Sequence, residues 1–186
     1  DSDACLEAGG GFCESLFWWH VEWPDEIKAL TLKNLTVSRR YTLSNKLISM
    51  NLLDFLVEII DYAAVTILVQ INPASCTNNY PILLNWTDNL TFKSWIQKAA
   101  TKTTKGKSLQ RILYSLLINN PLGIIADYIP GELNVLADAI SRVYTKSPSI
   151  TCLNKLRQEL PQLNCWKRFH PSQELLSTLY SGLLLG

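Results

Sequence analysis

The sequence predicts an α/β fold: a mixed five-stranded sheet with helices on both faces, followed by a small helical C-terminal extension. Two observations predict it. The spacing of apolar residues switches along the chain between the period of two that suits strands and the 3.6 that suits helices, in the order three strands, helix, strand, two helices, strand, helix. The strand-type runs ending near Asp88 and Tyr128 each lead through a turn signal into a helical pattern, as strands do in α/β units. At 186 residues and 47% hydrophobic content the chain can bury one full core with room for an appendage. The expected division is residues 1–146 for the main domain and 147–186 for the extension.

Residues 3–13, rich in glycine, and 15–23, rich in aromatics, read as the first two strands. A polar connection from Pro24 to Asn45, containing Arg39-Arg40, follows; it is long for a compact domain. Lys46–Met50 reads as a third short strand. From about Leu52 to Val69 the apolar residues Leu53, Leu56, Val57, Ile60, Ala64, Ile67 and Leu68 form one helical stripe. A loop with Pro73, Asn78 and Asn79 returns the chain to the strand that ends at Asp88. Helices over 90–100 and 107–119, a strand over 122–129 and a helix over 133–143 complete the domain. Past Ser147-Pro148, two short helices are expected at 150–157 and 172–185, separated by Pro161, Asn164 and Pro171.

Composition removes several classes of function. A net charge of +1 gives no global attraction to nucleic acid, so any such binding must come from a local patch. Five cysteines, odd in number and without a C-x-x-C pair, argue against a disulfide framework and a zinc site, and an intracellular setting, cytoplasmic or nuclear, is expected. Glycosylation sequons at Asn34, Asn85 and Asn89 read as chance, because two of them flank Asp88 within the expected core. No membrane segment is expected, since Asp54, Glu58, Asp61 and Gln70 interrupt the longest apolar stretch. The start at Asp1 without an initiator methionine suggests a piece of a longer polyprotein.

The most informative stretch is Tyr128-Ile-Pro-Gly-Glu-Leu-Asn-Val-Leu-Ala-Asp-Ala-Ile-Ser-Arg142. It ends a strand, turns on Pro130-Gly131 and starts a helix whose apolar Leu133, Leu136, Ala137 and Ile140 leave Asp138 beside the buried stripe. The pattern I-P-G-x-x-N-x-x-A-D-x-x-S-R resembles the last motif of the ribonuclease H domain that follows reverse transcriptase in retrotransposon polyproteins. Thr87-Asp88-Asn89 is similar to the family's third acid, and Asp3-Ala4 followed by Gly9, Gly10 and Gly11 to its opening motif. Trp19 to Pro24 matches the W-x-x-x-W-P ending found in the DIRS and Ngaro groups, which encode a tyrosine recombinase. Asn51-Leu-Leu-Asp54-Phe55 stands where the family carries N-L-L-E, with aspartate in place of glutamate. Tyr128 stands where the family has histidine.

The resemblance implies a fold and a chemistry. The fold is ribonuclease H-like. The activity is hydrolysis of the RNA strand of an RNA/DNA hybrid, with an upstream reverse transcriptase domain and a downstream recombinase domain in the same polyprotein. It also implies that Asp3, Asp54, Asp88 and Asp138 are the catalytic acids and hold two Mg²⁺ or Mn²⁺ ions, Asp3 and Asp88 touching both and Asp54 and Asp138 one each. The chemistry suits such a set: in-line hydrolysis needs both the attacking and the leaving oxygen stabilised, and hard cations take carboxylate oxygens. Hybrid binding falls to the acid-free run that holds Lys98, Lys102, Lys105, Lys107 and Arg111, with Tyr128 near the cut. Because Asp54 and Tyr128 both depart from pattern, the alternative is a degenerate module that keeps the fold and tethers nucleic acid.

Overall fold

The computed structural model of the protein describes residues 1–14, 16–31, 47–71, 81–120, 122–143 and 150–185. Strands β1 (Ser2–Ala4), β2 (Ala8–Cys13) and β3 (Phe17–Glu22) form an antiparallel meander. Helix α1 (Asp25–Ala29) follows, then the long α2 (Met50–Ile71). Strand β4 (Ile82–Thr87), helices α3 (Leu90–Lys98) and α4 (Thr104–Asn119), strand β5 (Gly123–Tyr128) and helix α5 (Val135–Ser141) come next. The C-terminal part adds α6 (Ile150–Glu159), β6 (Lys167–Arg168) and α7 (Gln173–Leu185).

The architecture is α/β with helices on both faces, but the sheet is divided. The described strands make a four-stranded sheet in the order β1-β2-β3-β6 and a parallel β4-β5 pair, not the single five-stranded sheet expected from sequence. Two strand assignments account for part of the difference. The run 3–13 breaks at a tight reversal, where the Cys5 N–H bonds the Ala8 carbonyl, and becomes β1 and β2. The segment expected as a strand at 46–50 contributes one parallel bridge, Ile48 to Thr31, before α2 begins at Met50.

The division itself falls between β1 and β4, which approach without sharing a ladder. Residues 1, 3 and 5 of the chain turn their backbone groups toward β2, so those of Ser2 and Ala4 point the other way. Side chains approach them: Asn134 Nδ2 donates to the Ser2 carbonyl at 3.2 Å, and the Ala4 backbone lies against the Asp54 carboxylate and lowers its pKa. These two groups of that edge are thus engaged by side chains rather than by β4.

Alternation along β3 builds the two halves of the core. Phe17, Trp19, Val21 and Trp23 face α2, while Trp18 faces the other way and packs with Ile140, Leu156 and Leu163. Helix α2 is buried nearly all round from Leu52 to Ala64, because the meander covers one side and α3 and α4 another; Phe55 meets both Phe92 and Trp95 at 5.5 Å between ring centres. Each such side chain fully removed from water contributes about 1.5–3 kcal/mol. The Tyr62 hydroxyl donates to the Leu122 carbonyl at 2.7 Å, fixing the start of β5 against α2.

The described part of 147–186 is more than a helical appendage. Lys167 and Arg168 pair in parallel with Phe17 and Trp18, Trp166 stacks on Phe12 at 5.5 Å, and Arg168 lies 5.2 Å above the Trp18 ring. Leu179 and Leu183 of α7 are fully buried with Leu109 and Leu113 of α4 and Ile27 of α1. The Ser147-Pro148 boundary, most of the Pro24–Asn45 connection with Arg39-Arg40, the 72–80 loop and the Asn34 sequon lie outside the described residues. Asn85 is buried and Asn89 is held by side-chain and backbone hydrogen bonds. No helix among the described residues is long and apolar enough to cross a membrane.

Candidate metal centre

Asp3 sits in the middle of β1, opposite Gly10. Its Oδ2 accepts a 2.7 Å hydrogen bond from Ser141 Oγ at the end of α5. Helix α5 can lie this close only because residue 10 has no side chain: a Cβ there would meet Ile140 Cγ2 at 2.5 Å and the Ser141 nitrogen at 2.8 Å. Burial raises the Asp3 pKa to about 6; the Ser141 bond opposes this, the charges of Asp88 and Asp138 add to it, and Arg142 draws it back.

Asp54 projects from the second turn of α2. Its Oδ2 accepts from Asn89 Nδ2 at 2.6 Å. Burial lifts its pKa to about 7; the Asn89 and Ala4 hydrogen bonds oppose the shift, and the charges of Asp3 and Asp88 reinforce it. Asp88 follows β4 directly and is half-buried, its pKa raised by burial and by Asp138. The Pro130-Gly131 turn passes beside it: a Cβ on Gly131 would lie 3.1 Å from Asp88 Oδ2. Asp138, in α5, is half-exposed, and its Oδ1 accepts from Arg142 Nε at 2.6 Å.

All four expected acids therefore occupy one neighbourhood: the charges of Asp88 and Asp138 raise the pKa of Asp3, that of Asp138 raises Asp88, and those of Asp3 and Asp88 raise Asp54. They arrive from four elements: the first strand, the central helix, the end of β4 and the last helix of the main domain. Among the described residues, no three Asp, Glu, His or Cys side chains are drawn together tightly enough to grip an ion as they stand. Ser141, Asn89 and Arg142 each hold one of the carboxylates through a hydrogen bond. The donor set nevertheless fits Mg²⁺ or Mn²⁺: hard oxygens, two of them on acids whose anionic form is disfavoured first by burial and then by neighbouring carboxylates, a cost that a cation would offset.

Glu58, one turn beyond Asp54, belongs to a deeper layer. Its carboxylate is bonded by Asn85 Nδ2, and burial followed by the charge of Asp61 holds its pKa well above the usual range. Asp61, which the periodicity alone placed in an apolar helix, is also buried and accepts from Trp19 Nε1 at 2.5 Å. Two further polar residues escaped the sequence reading as supports of the site, Asn134 and Ser141; their positions in the N-x-x-A-D-x-x-S-R pattern were the available signal.

The expected nucleic-acid contacts separate into two groups. Lys98, Lys102, Lys107 and Arg111 are exposed, as is Tyr128 at the end of β5. Lys105 is a correction: it is buried, and its Nζ donates to the Leu183 carbonyl at the end of α7. A lysine there complements the partial negative charge of a helix C-terminus and is unavailable to a phosphate. His20 is buried, its pKa lowered to about 3 by burial and by Arg168. Cys5, Cys13 and Cys165 are free thiols. No family model, curated protein or solved structure matches the chain.

Proposed function

We propose that this chain is a ribonuclease H-like domain of a retrotransposon reverse transcriptase polyprotein, one that cuts the RNA strand of RNA/DNA hybrids. A single observation carries the reading: Asp3, Asp54, Asp88 and Asp138, chosen by motif, converge from four separate elements on one electrostatically coupled site. The element order, an antiparallel meander, a long helix, a parallel strand pair and a short final helix over the meander, is also what that fold family would require.

Asp3 and Asp88 would hold both ions, with Asp54 and Asp138 each holding one. When bound, Mg²⁺ or Mn²⁺ supplies the charge that stabilises the attacking and leaving oxygens of an in-line displacement. The chain's own residues do the rest. Ser141 and Asn89 keep Asp3 and Asp54 turned inward. Lys102, Lys107 and Arg111 offer charge to backbone phosphates without reading sequence. Tyr128 can donate a hydrogen bond to a phosphate but lacks the ionisation near neutral pH that a histidine would bring, so turnover is slow. The products carry a 5′-phosphate and a 3′-hydroxyl. An upstream polymerase and a downstream recombinase are the partners this reading assigns.

The second reading, a degenerate module that tethers nucleic acid, is favoured by the ion pair that occupies Asp138. One assay separates them. A labelled RNA/DNA hybrid is incubated with the protein in Mn²⁺, with Asp88→Asn as the blank. Cleavage above the blank is expected; a parent indistinguishable from it leaves the tether.

A further inference from the structure

Asn89 occupies a junction that the reaction chemistry does not itself require. Its backbone N–H bonds Thr87 Oγ1 at 3.1 Å, which fixes the turn carrying Asp88. Its Oδ1 caps α3 by accepting from the Thr91 and Phe92 amides at 2.8 and 3.1 Å. Its Nδ2 donates both ways onto α2, to Asn51 Oδ1 at 2.9 Å and to Asp54 Oδ2 at 2.6 Å. Two donors and two acceptor sites are all that a carboxamide has, so every one is engaged. The partners also fix which end is oxygen, because backbone N–H groups can only donate.

We propose that Asn89 is a positioning residue that sets the placement of the Asp54 carboxylate relative to Asp88, and so the metal affinity of the site. This rests on the function proposed above. Asp54 and Asn51 lie one turn apart on the same face of α2, and the amide spans them while anchored through its oxygen to a different helix. The residue that carries the amide directly follows Asp88. Any movement of α2 against the β4–α3 turn would change the distance between the two acids, and these bonds resist it. A carboxylate can accept about four hydrogen bonds on its two oxygens, so the bond from Asn89 orients Asp54 without exhausting it.

Aspartate makes the device necessary. With one methylene fewer than the glutamate of the family pattern, Asp54 has less side chain with which to search for an ion, and its direction must be set in advance. Serine at 89 would still cap α3, since it ranks with asparagine as an N-cap, but it has one short donor and cannot span Asn51 and Asp54. Outer partners of this kind typically change metal affinity 10–100-fold when removed.

The test measures Mn²⁺ half-saturation by calorimetry and by the metal-induced rise in melting temperature, on the full chain, with no substrate present. Asn89→Ser should lose a few degrees of metal-free Tm and raise the half-saturation about ten-fold or more. Asn89→Ala should lose more Tm, because the cap goes too, with a similar effect on half-saturation. In an Asp54→Asn background Asn89→Ser should change half-saturation no further, an outcome that a merely structural role would not produce. Parent binding abolished by Asp88→Asn, together with an Asn89→Ser half-saturation equal to or below the parent's, overturns the role of Asn89 and leaves the proposed function standing. A parent with no Mn²⁺ response overturns both.

Discussion

Replacing Asp3 by asparagine is expected to stabilise the metal-free protein, and by more at pH 8 than at pH 5. The folded state holds the Asp3 proton up to about pH 6, against 3.8 for the free side chain. A raised carboxyl pKa means that the folded state binds the proton more tightly than the unfolded chain, so stability falls as the pH rises from about 4 through 6. At 1.36 kcal/mol per tenfold, the full loss at pH 8 is ~3 kcal/mol, of which ~1.6 kcal/mol has already gone by pH 5. The substitution removes this penalty, so its benefit should grow by ~1.4 kcal/mol between the two pH values. Ser141 Oγ can still donate to the amide oxygen, while the new amide nitrogen needs a partner and takes back about 1 kcal/mol. His20 titrates in the opposite sense: with a folded pKa of about 3, its contribution is present above 6.5 and lost as pH falls. That contribution cancels when variant and parent are compared at the same pH. The assay is urea unfolding in chelator at pH 5 and pH 8. A benefit that is equal at both, or larger at pH 5, would show that Asp3 does not carry the burial penalty and would remove the electrostatic argument for a cation. In saturating Mn²⁺ the order should invert, since the parent gains about 2.7 kcal/mol at a hundred times Kd and the variant little.

Three more outcomes are expected. Lys102→Ala and Lys107→Ala should each flatten the log–log salt dependence of hybrid binding by up to about 0.7–0.9, while Lys105→Ala lowers Tm and leaves that slope alone. Tyr128→His should raise hybrid cleavage near neutral pH and add an ionisation near pH 6.5 to the rate profile, as steady-state kinetics across pH 5–8 would report. Leu183→Ala should cost about 2–5 kcal/mol in chemical denaturation, as core leucines do, whereas a change within about 0.5 kcal/mol would mark α7 as a loosely attached linker.

The motif residues were legible because local spacing carries them. Leu53, Leu56, Val57, Ile60 and Ala64 announce α2, and Pro130-Gly131 announces the turn that brings the chain past Asp88. Features decided by partners distant in sequence were not. Lys105 looks like one more solvated lysine until Leu183, 78 positions away, presents a helix end to it. Lys167-Arg168 is too short to show any period, and its pairing with Phe17-Trp18 spans most of the chain. Glu58 and Asp61 interrupt the stripe of α2 as if solvated, yet Asn85 and Trp19 bury them. The divided sheet escaped for a related reason: Asn134 and Asp54, side chains from a turn and a helix, engage two of the backbone groups on the edge of β1 that faces β4.

The line between β1 and β4 also governs how the molecule breathes. Strands joined by a ladder exchange their amide hydrogens together, whereas among the described residues the β4–β5 pair shares no ladder with the meander and packs on it mainly through α2 and α3. It is therefore a unit that can open without unravelling the meander, and Ile82, Leu84, Trp86 and Ile125, exposed on one of its faces, add nothing to keep it shut. The acids straddle that hinge line, with Asp3 on one bank and Asp88 on the other. Ligation across it would slow exchange on both banks at once, making the motions of two half-sheets a single event.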